Sequence, residues 1–154
     1  MNAQKVVQRL RERNETITCA ESITGGALTS ELVSIPGASH VLKGSIIAYS
    51  TEVKVSELKV EPTLIQEFGV VSEEVALAMA RGVKAKFAAE WAISLTGVAG
   101  PGASHGVPAG TVWLALLGPG FEETVKLELM GEREMVRRGA VESALGVLER
   151  ILSA

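Results

Sequence analysis

Apolar and polar positions repeat along this chain with two different periods, and the places where the period changes mark its elements. Val6, Val7 and Leu10 share one face of an amphipathic helix running from about Ala3 to Arg13, with Asn14 as its stop. Thr16 to Ala20 is β-branched and apolar, which predicts a strand, and Thr24-Gly25-Gly26 breaks it before a helix of small residues that runs to about Val33. Beyond the loop around Pro36-Gly37, the apolar run Ser45 to Ser50 is too short for a buried helix and reads as a second strand. Ser50 or Thr51 can cap a short helix behind it, and Pro62 suits the first turn of another that ends near Gly69. Ser72 caps a longer helix reaching roughly Ala88, with Glu73 and Glu74 at the positive end of its dipole. Trp91 to Thr96 is a third strand and leads into a glycine-rich loop ending at Gly110. Thr111 to Leu117 and Thr124 to Leu129 flank Gly118-Pro119-Gly120 as an antiparallel hairpin. From Glu132 to Leu152 a broad apolar stripe, from Met135 and Val136 to Leu148 and Ile151, predicts the closing helix.

The resulting order is α-β-α-β-α-α-α-β-β-β-α. Early alternation implies parallel strands joined by crossover helices, and the late hairpin forces one strand to run the other way. The expected fold is a three-layer α/β/α sandwich on a mixed, mostly parallel sheet of about five strands with one antiparallel strand. At 154 residues, without an internal repeat or linker, the chain reads as one domain spanning 1–154. Its 47% hydrophobic residues supply a core, while 15 Lys+Arg against 18 Asp+Glu give a net charge of -3 and no basic stripe for phosphate backbones. Neither nucleic acid nor a membrane is therefore expected as a partner. One cysteine, Cys19, forms no internal disulfide, and the first fifteen residues hold no continuous apolar stretch, so a reducing, cytoplasmic setting is expected.

In open α/β sheets ligands bind beyond the carboxyl ends of the strands, which directs attention to three clusters. In the first, Glu21-Ser22-Ile23-Thr24-Gly25-Gly26, a hydroxyl and two glycines occupy a strand-to-helix turn. Backbone amides there can hold an anion or an oxyanion, although the same residues also serve as a plain cap and turn. No Lys-Ser/Thr follows the glycines, so this is not a P-loop. In the second, Lys54 falls in the first turn of a helix, where the dipole disfavours a cation, within reach of Tyr49, the only tyrosine. That placement reads either as use or as a solvated surface lysine. The third is the long loop Gly97 to Gly110, whose glycines are not spaced as in a dinucleotide fingerprint and whose lone His105 lacks a second metal ligand. Arg133, Arg137 and Arg138 open the last helix, as a phosphate-binding set or as a solvated face.

These motifs stand in a familiar order: Glu21-Ser22-Ile23-Thr24-Gly25-Gly26, Tyr49-Ser50-x-x-x-Lys54, Val71-Ser72 with Ala76, Met79, Ala80 and Gly82, Gly97-Val98-Ala99-Gly100-Pro101, Gly110-Thr111-Val112, and Gly131-x-Arg133-x-x-Val136-Arg137. The chain resembles, from about Val6 to Leu152, the nicotinamide-nucleotide amidases, that is, the C-terminal domain of CinA-type competence/damage-inducible proteins. The resemblance implies an anticodon-binding-domain-like fold, deamidation of nicotinamide mononucleotide to nicotinate mononucleotide and ammonia in pyridine-nucleotide recycling, and no metal or organic cofactor. It implies Ser22, Tyr49 and Lys54 as catalytic residues, with Tyr49 relaying a proton between the other two. Glu21, Thr24, Gly25, Gly26, Gly97, Ala99, Gly100, Arg133 and Arg137 are then expected to bind substrate, with amides around Thr24 to Gly26 holding the oxyanion. Partners are expected to be a small nucleotide substrate and further copies of the chain, as a dimer or higher homo-oligomer. Three departures bear on substrate grip: Ile23 stands where a cysteine is common, Thr51 where an asparagine is common, and Ala103 to Val107 lacks the usual acidic and lysine residues. The rival readings are a non-catalytic nucleotide sensor and a protein-interaction module.

Overall fold

Side-chain size sorts the two faces of the central sheet. The computed structural model describes residues 2–154 and contains strands β1 (Ile17–Glu21), β2 (Leu42–Ile47), β3 (Trp91–Gly97), β4 (Thr111–Gly118) and β5 (Phe121–Glu128) in the order β2-β1-β3-β4-β5. On one face Ile17, Ile93, Leu95, Leu114 and Leu116 pack against helices α1 (Asn2–Arg13), α2 (Ala27–Val33) and α6 (Arg133–Leu152). On the other, the small side chains Ala20, Ala92, Ser94 and Ala115 admit α5 (Glu73–Phe87), which brings its own Ala76 and Ala80. Ser94 satisfies its buried hydroxyl by donating to the Ala76 carbonyl at 2.6 Å. Helices α3 (Thr51–Leu58) and α4 (Pro62–Phe68) complete that layer around Leu58 and Val60. β1 pairs in parallel with β2 and β3, while β4 runs antiparallel to both of its neighbours. The expected three-layer sandwich with one antiparallel strand is the observed one.

Two strands lie elsewhere than the apolar runs predict. β2 begins at Leu42, three residues before Ser45, and ends at Ile47, because an edge strand tolerates Lys43 and Gly44 and takes a register shift opposite Ile17/Thr18. Tyr49 and Ser50 thus fall after the strand, where Ser50 caps α3 by accepting from the Val53 amide. β5 starts at Phe121, since Pro119 and Gly120 alone make the turn between paired Gly118 and Phe121. Met135, expected in the core stripe of α6, is 61% exposed, whereas Val141 and Leu152 are buried in it. The first turn of α6 overhangs the end of the sheet. β1 lies between the strand that follows it and the strand reached by the longer crossover, so the topological switch falls at the carboxyl ends of β1 and β3.

Closure of α3 on α5 depends on Gly82, where a Cβ would come within 1.9 Å of the Leu58 carbonyl oxygen. Gly82→Ala should lower unfolding free energy by about 2 kcal/mol or more, since backbone must move to admit the methyl group. Chemical denaturation followed by circular dichroism measures this, and an unchanged midpoint would contradict the close contact.

Candidate active site

The last residue of β1, Glu21, points into the sandwich and organises the turn that follows. Its fully buried carboxylate accepts hydrogen bonds from the Thr24 hydroxyl (2.6 Å), the amides of Gly26 (3.1 Å), Leu28 (3.0 Å) and Thr29 (2.8 Å), and the Thr29 hydroxyl. Gly26, the N-cap of α2, has no side chain to offer, so the strand supplies the capping anion. Gly25 and Gly26 both take left-handed backbone, φ 58° and 105°, which lets the chain reverse within one turn. From the opposite side Arg137 donates to the carbonyls of Ile23 (3.1 Å) and Thr24 (3.0 Å) and pairs with Glu134. Both sets of bonds fix Ser22, whose amide is anchored to the Leu95 carbonyl of β3. The amides of Gly25 and Gly26 are consumed inside the turn, so those of Ile23 and Thr24 are the ones that donate to no acceptor among the described residues.

Lys54 closes the first turn of α3 and is 2% exposed, yet no glutamate pairs with it among the described residues. Its Nζ donates to the Ser22 Oγ at 2.9 Å and to the Ala48 carbonyl at 2.8 Å. Burial disfavours the ammonium form and pushes the Lys54 pKa down from 10.5 to about 8. The same contact therefore changes direction on deprotonation, the Ser22 hydroxyl then donating to a neutral amine. Such a pair has the geometry in which a neutral amine can accept a hydroxyl proton.

Ser22 and Lys54 open into a cleft of about 370 Å³ between the β2–α3 segment, the loop after β3 and the start of α6. Gly97, Ala99 and Gly100 line it, and the base of the loop is pinned by the Val98 amide on the Thr111 carbonyl and the Gly110 amide on the Val98 carbonyl. A Cβ on Gly97 would lie 2.7 Å from the Thr111 carbonyl oxygen, so only glycine lets loop and strand close there. Arg133 crosses the mouth, donating to the Gly100 carbonyl at 2.6 Å and to the Tyr49 hydroxyl at 3.2 Å. Among the described residues no carboxylate lines the cleft, whereas the cationic side chains Lys54 and Arg133 do.

The family model for the CinA C-terminal domain matches residues 1–152. The chain belongs to that family. A CinA-like protein of Frankia casuarinae is 42% identical over 148 residues, covering 96% of this chain and 34% of the relative. One from Fervidobacterium nodosum is 40% identical over 146 residues, covering 94% and 36%. A competence-damaged protein (CinA) superfamily protein from Klebsiella pneumoniae superposes with a TM-score of 0.96 at 31% identity, covering 99% of this chain and 96% of that one. The chain spans about a third of the length of the curated relatives it matches.

In this CinA domain the structure brings together Ser22, Lys54, Gly97, Ala99, Gly100 and Arg133, as the sequence predicts. Tyr49, expected between Ser22 and Lys54 as a relay, lines the same cleft but does not stand between them; they touch directly, and its hydroxyl meets Arg133. Glu21, Thr24, Gly25, Gly26 and Arg137, expected on the substrate, do not line the cleft; the side chains of Glu21, Thr24 and Arg137 and the amides of Gly25 and Gly26 are spent on holding the turn. Of the amides around Thr24 to Gly26 expected to hold an oxyanion, those of Gly25 and Gly26 are used inside the turn, while the Thr24 amide, with that of Ile23, has no acceptor among the described residues. Sequence reasoning missed the Ala48 carbonyl, which carries no side-chain signal, and Thr96, Val70 and Val71, which line the cleft. Val71-Ser72 stood among the motifs and was the available clue.

Two outcomes follow from this geometry. Unfolded Lys54 titrates near 10.5 and folded Lys54 at about 8, so between these values the unfolded state binds more protons and stability rises with pH. Below the folded value the protein carries the whole cost of the buried cation, on the order of 3 kcal/mol. Lys54→Met, which keeps the stem and loses the charge, should therefore show its most favourable melting temperature relative to wild type near about pH 7, with the difference moving toward wild type as pH approaches about 10. A difference independent of pH would contradict a buried ammonium. Glu21→Gln should cost about 2 kcal/mol or more in urea denaturation, as the neutral amide places a donor among donors; a wild-type midpoint would remove the capping role.

Proposed function

We propose that this CinA domain is an amidohydrolase that converts nicotinamide mononucleotide and water to nicotinate mononucleotide and ammonia, with Ser22 as nucleophile and Lys54 as base. The observation that carries the reading is the 2.9 Å contact between a buried, carboxylate-free lysine and a serine hydroxyl at a strand-to-helix turn. A positive cleft without carboxylates suits a phosphorylated substrate, and the family resemblance supplies the carboxamide.

Neutral Lys54 takes the Ser22 proton as Oγ attacks the carboxamide carbon, and the carbonyl oxygen gains negative charge facing the amides of Ile23 and Thr24. Collapse breaks the C–N bond, and the Lys54 ammonium returns its proton to the departing amine, which leaves as ammonia. The nicotinoyl ester on Ser22 is then attacked by water; one of its protons passes to Lys54 and on to Ser22 as the ester bond breaks, and the carboxylic acid so formed gives the other to solvent and leaves as the carboxylate. Lys54 donates to the Ala48 carbonyl throughout, which keeps Nζ aimed at Ser22. The pyridinium of the substrate brings a second positive charge into the cleft and holds Lys54 in its neutral form.

Ser22→Ala should lower ammonia release from nicotinamide mononucleotide about a thousandfold or more while the variant still melts cooperatively. Turnover at the wild-type level would remove Ser22 from the chemistry; wild-type protein that binds the nucleotide without releasing ammonia would make the domain a sensor. In the wild type kcat/KM should rise with pH and level off above about 8, where free Lys54 has lost its proton. A profile flat from about pH 6 to about pH 9 would exclude Lys54 as the base.

A further inference from the structure

Consecutive residues at the end of β2 turn opposite ways. The Ala48 carbonyl faces inward and grips Lys54, whereas Tyr49 swings outward, 63% exposed, toward the mouth of the cleft. Its hydroxyl has no contact with Ser22 or Lys54 and accepts a hydrogen bond from Arg133 instead. Because the phenol oxygen is the acceptor in that contact, its own proton is free for another acceptor. A neighbouring guanidinium also makes the phenol a stronger donor.

Arg9, Arg81, Arg137 and Arg150 each pair with a glutamate within 3.1 Å, whereas Arg133, like Arg11 and Arg138, has no glutamate in ion-pair range among the described residues. Of those three, Arg133 is the one that lines the cleft, where its partners are the uncharged Gly100 carbonyl and Tyr49 hydroxyl. It stands at the first residue of a 20-residue helix whose N-terminal amides add to the positive potential. Three elements, the β2–α3 segment, the loop after β3 and α6, meet at these two side chains.

We infer that Tyr49 and Arg133 form a clip for the phosphate monoester of the substrate, Tyr49 donating its hydroxyl proton to a phosphate oxygen and holding the guanidinium in place, so that Tyr49 is a substrate-positioning residue outside the proton transfers at Ser22. The inference rests on the proposed phosphorylated amide as substrate. It assigns the sole tyrosine to recognition, and it predicts that the domain discriminates by the phosphate group at the mouth independently of the amide chemistry at the base of the cleft.

Two assays with Tyr49→Phe, Arg133→Ala and the double variant test it. In steady-state ammonia release from nicotinamide mononucleotide, Tyr49→Phe should raise KM about tenfold while kcat stays within about threefold, and the double variant should lose less than the product of the single losses. With nicotinamide riboside, which lacks the phosphate, Tyr49→Phe should cost little beyond the deficit the wild type already shows. A fall of about a hundredfold in kcat on both substrates would restore Tyr49 to the proton path and overturn the clip. Titration calorimetry with ribose 5-phosphate reads the clip without any chemistry: each single variant should bind about tenfold more weakly than wild type. Equal affinity across the series overturns the clip even if ammonia is released. Weakened binding with no ammonia release from the wild type upholds the clip and rejects the amidase reading.

Discussion

A lysine ammonium held in the interior without a carboxylate is the constraint on which the rest of this molecule turns. Removing a cation from water costs several kcal/mol unless an anion repays it, and Lys54 is offered only a hydroxyl and a carbonyl. The fold must hold those two dipoles in place or lose the lysine to solvent. Three features do this: Ser50 starts α3 at the residue that sets the helical phase of Lys54, Gly82 lets α3 seat against α5, and the parallel pairing of β1 with β2 brings Ser22 beside Ala48. The cost of the unpaired cation is also what makes it useful, since a lysine so placed sheds its proton within reach of neutral pH.

Around that pair the charges are arranged by sign. Glu21 carries its negative charge behind the turn, where five donors absorb it, and Arg137 braces the carbonyl side with Glu134 as its counter-ion. Inside the cleft the pattern reverses, with positive groups and no acid. Glu21, one residue before Ser22, thus has its carboxylate taken up by the turn and makes no ion pair with Lys54.

Much of this arrangement was legible in the sequence, and the failures are physical in kind. The order of elements follows from periodicity, and the caps Ser50 and Ser72 act as their residue types predict. Lys54 announced itself by standing in a first helical turn, where the dipole repels it. Strand β2 was misplaced because periodicity presumes a buried face, and an edge strand carrying Lys43 and Gly44 has little of one. Glu21 and Arg137 were assigned to the ligand because a sequence shows that polar groups are near a turn but not whether backbone donors and carbonyls have already claimed them. The place of Tyr49 was hidden for a related reason: residues 48 to 50 leave the strand, and the tyrosine hydroxyl there meets Arg133, eighty-four positions away in sequence.

The claim that Lys54 is poised as a neutral base before any substrate arrives is tested most directly by titrating its side chain in the free protein. Nitrogen and carbon chemical shifts of Lys54, assigned by loss of the signal in Lys54→Met, should report a midpoint near 8. A midpoint at 10.5 would mean that the buried site does not depress the lysine, and Ser22 would then lack the base assigned to it.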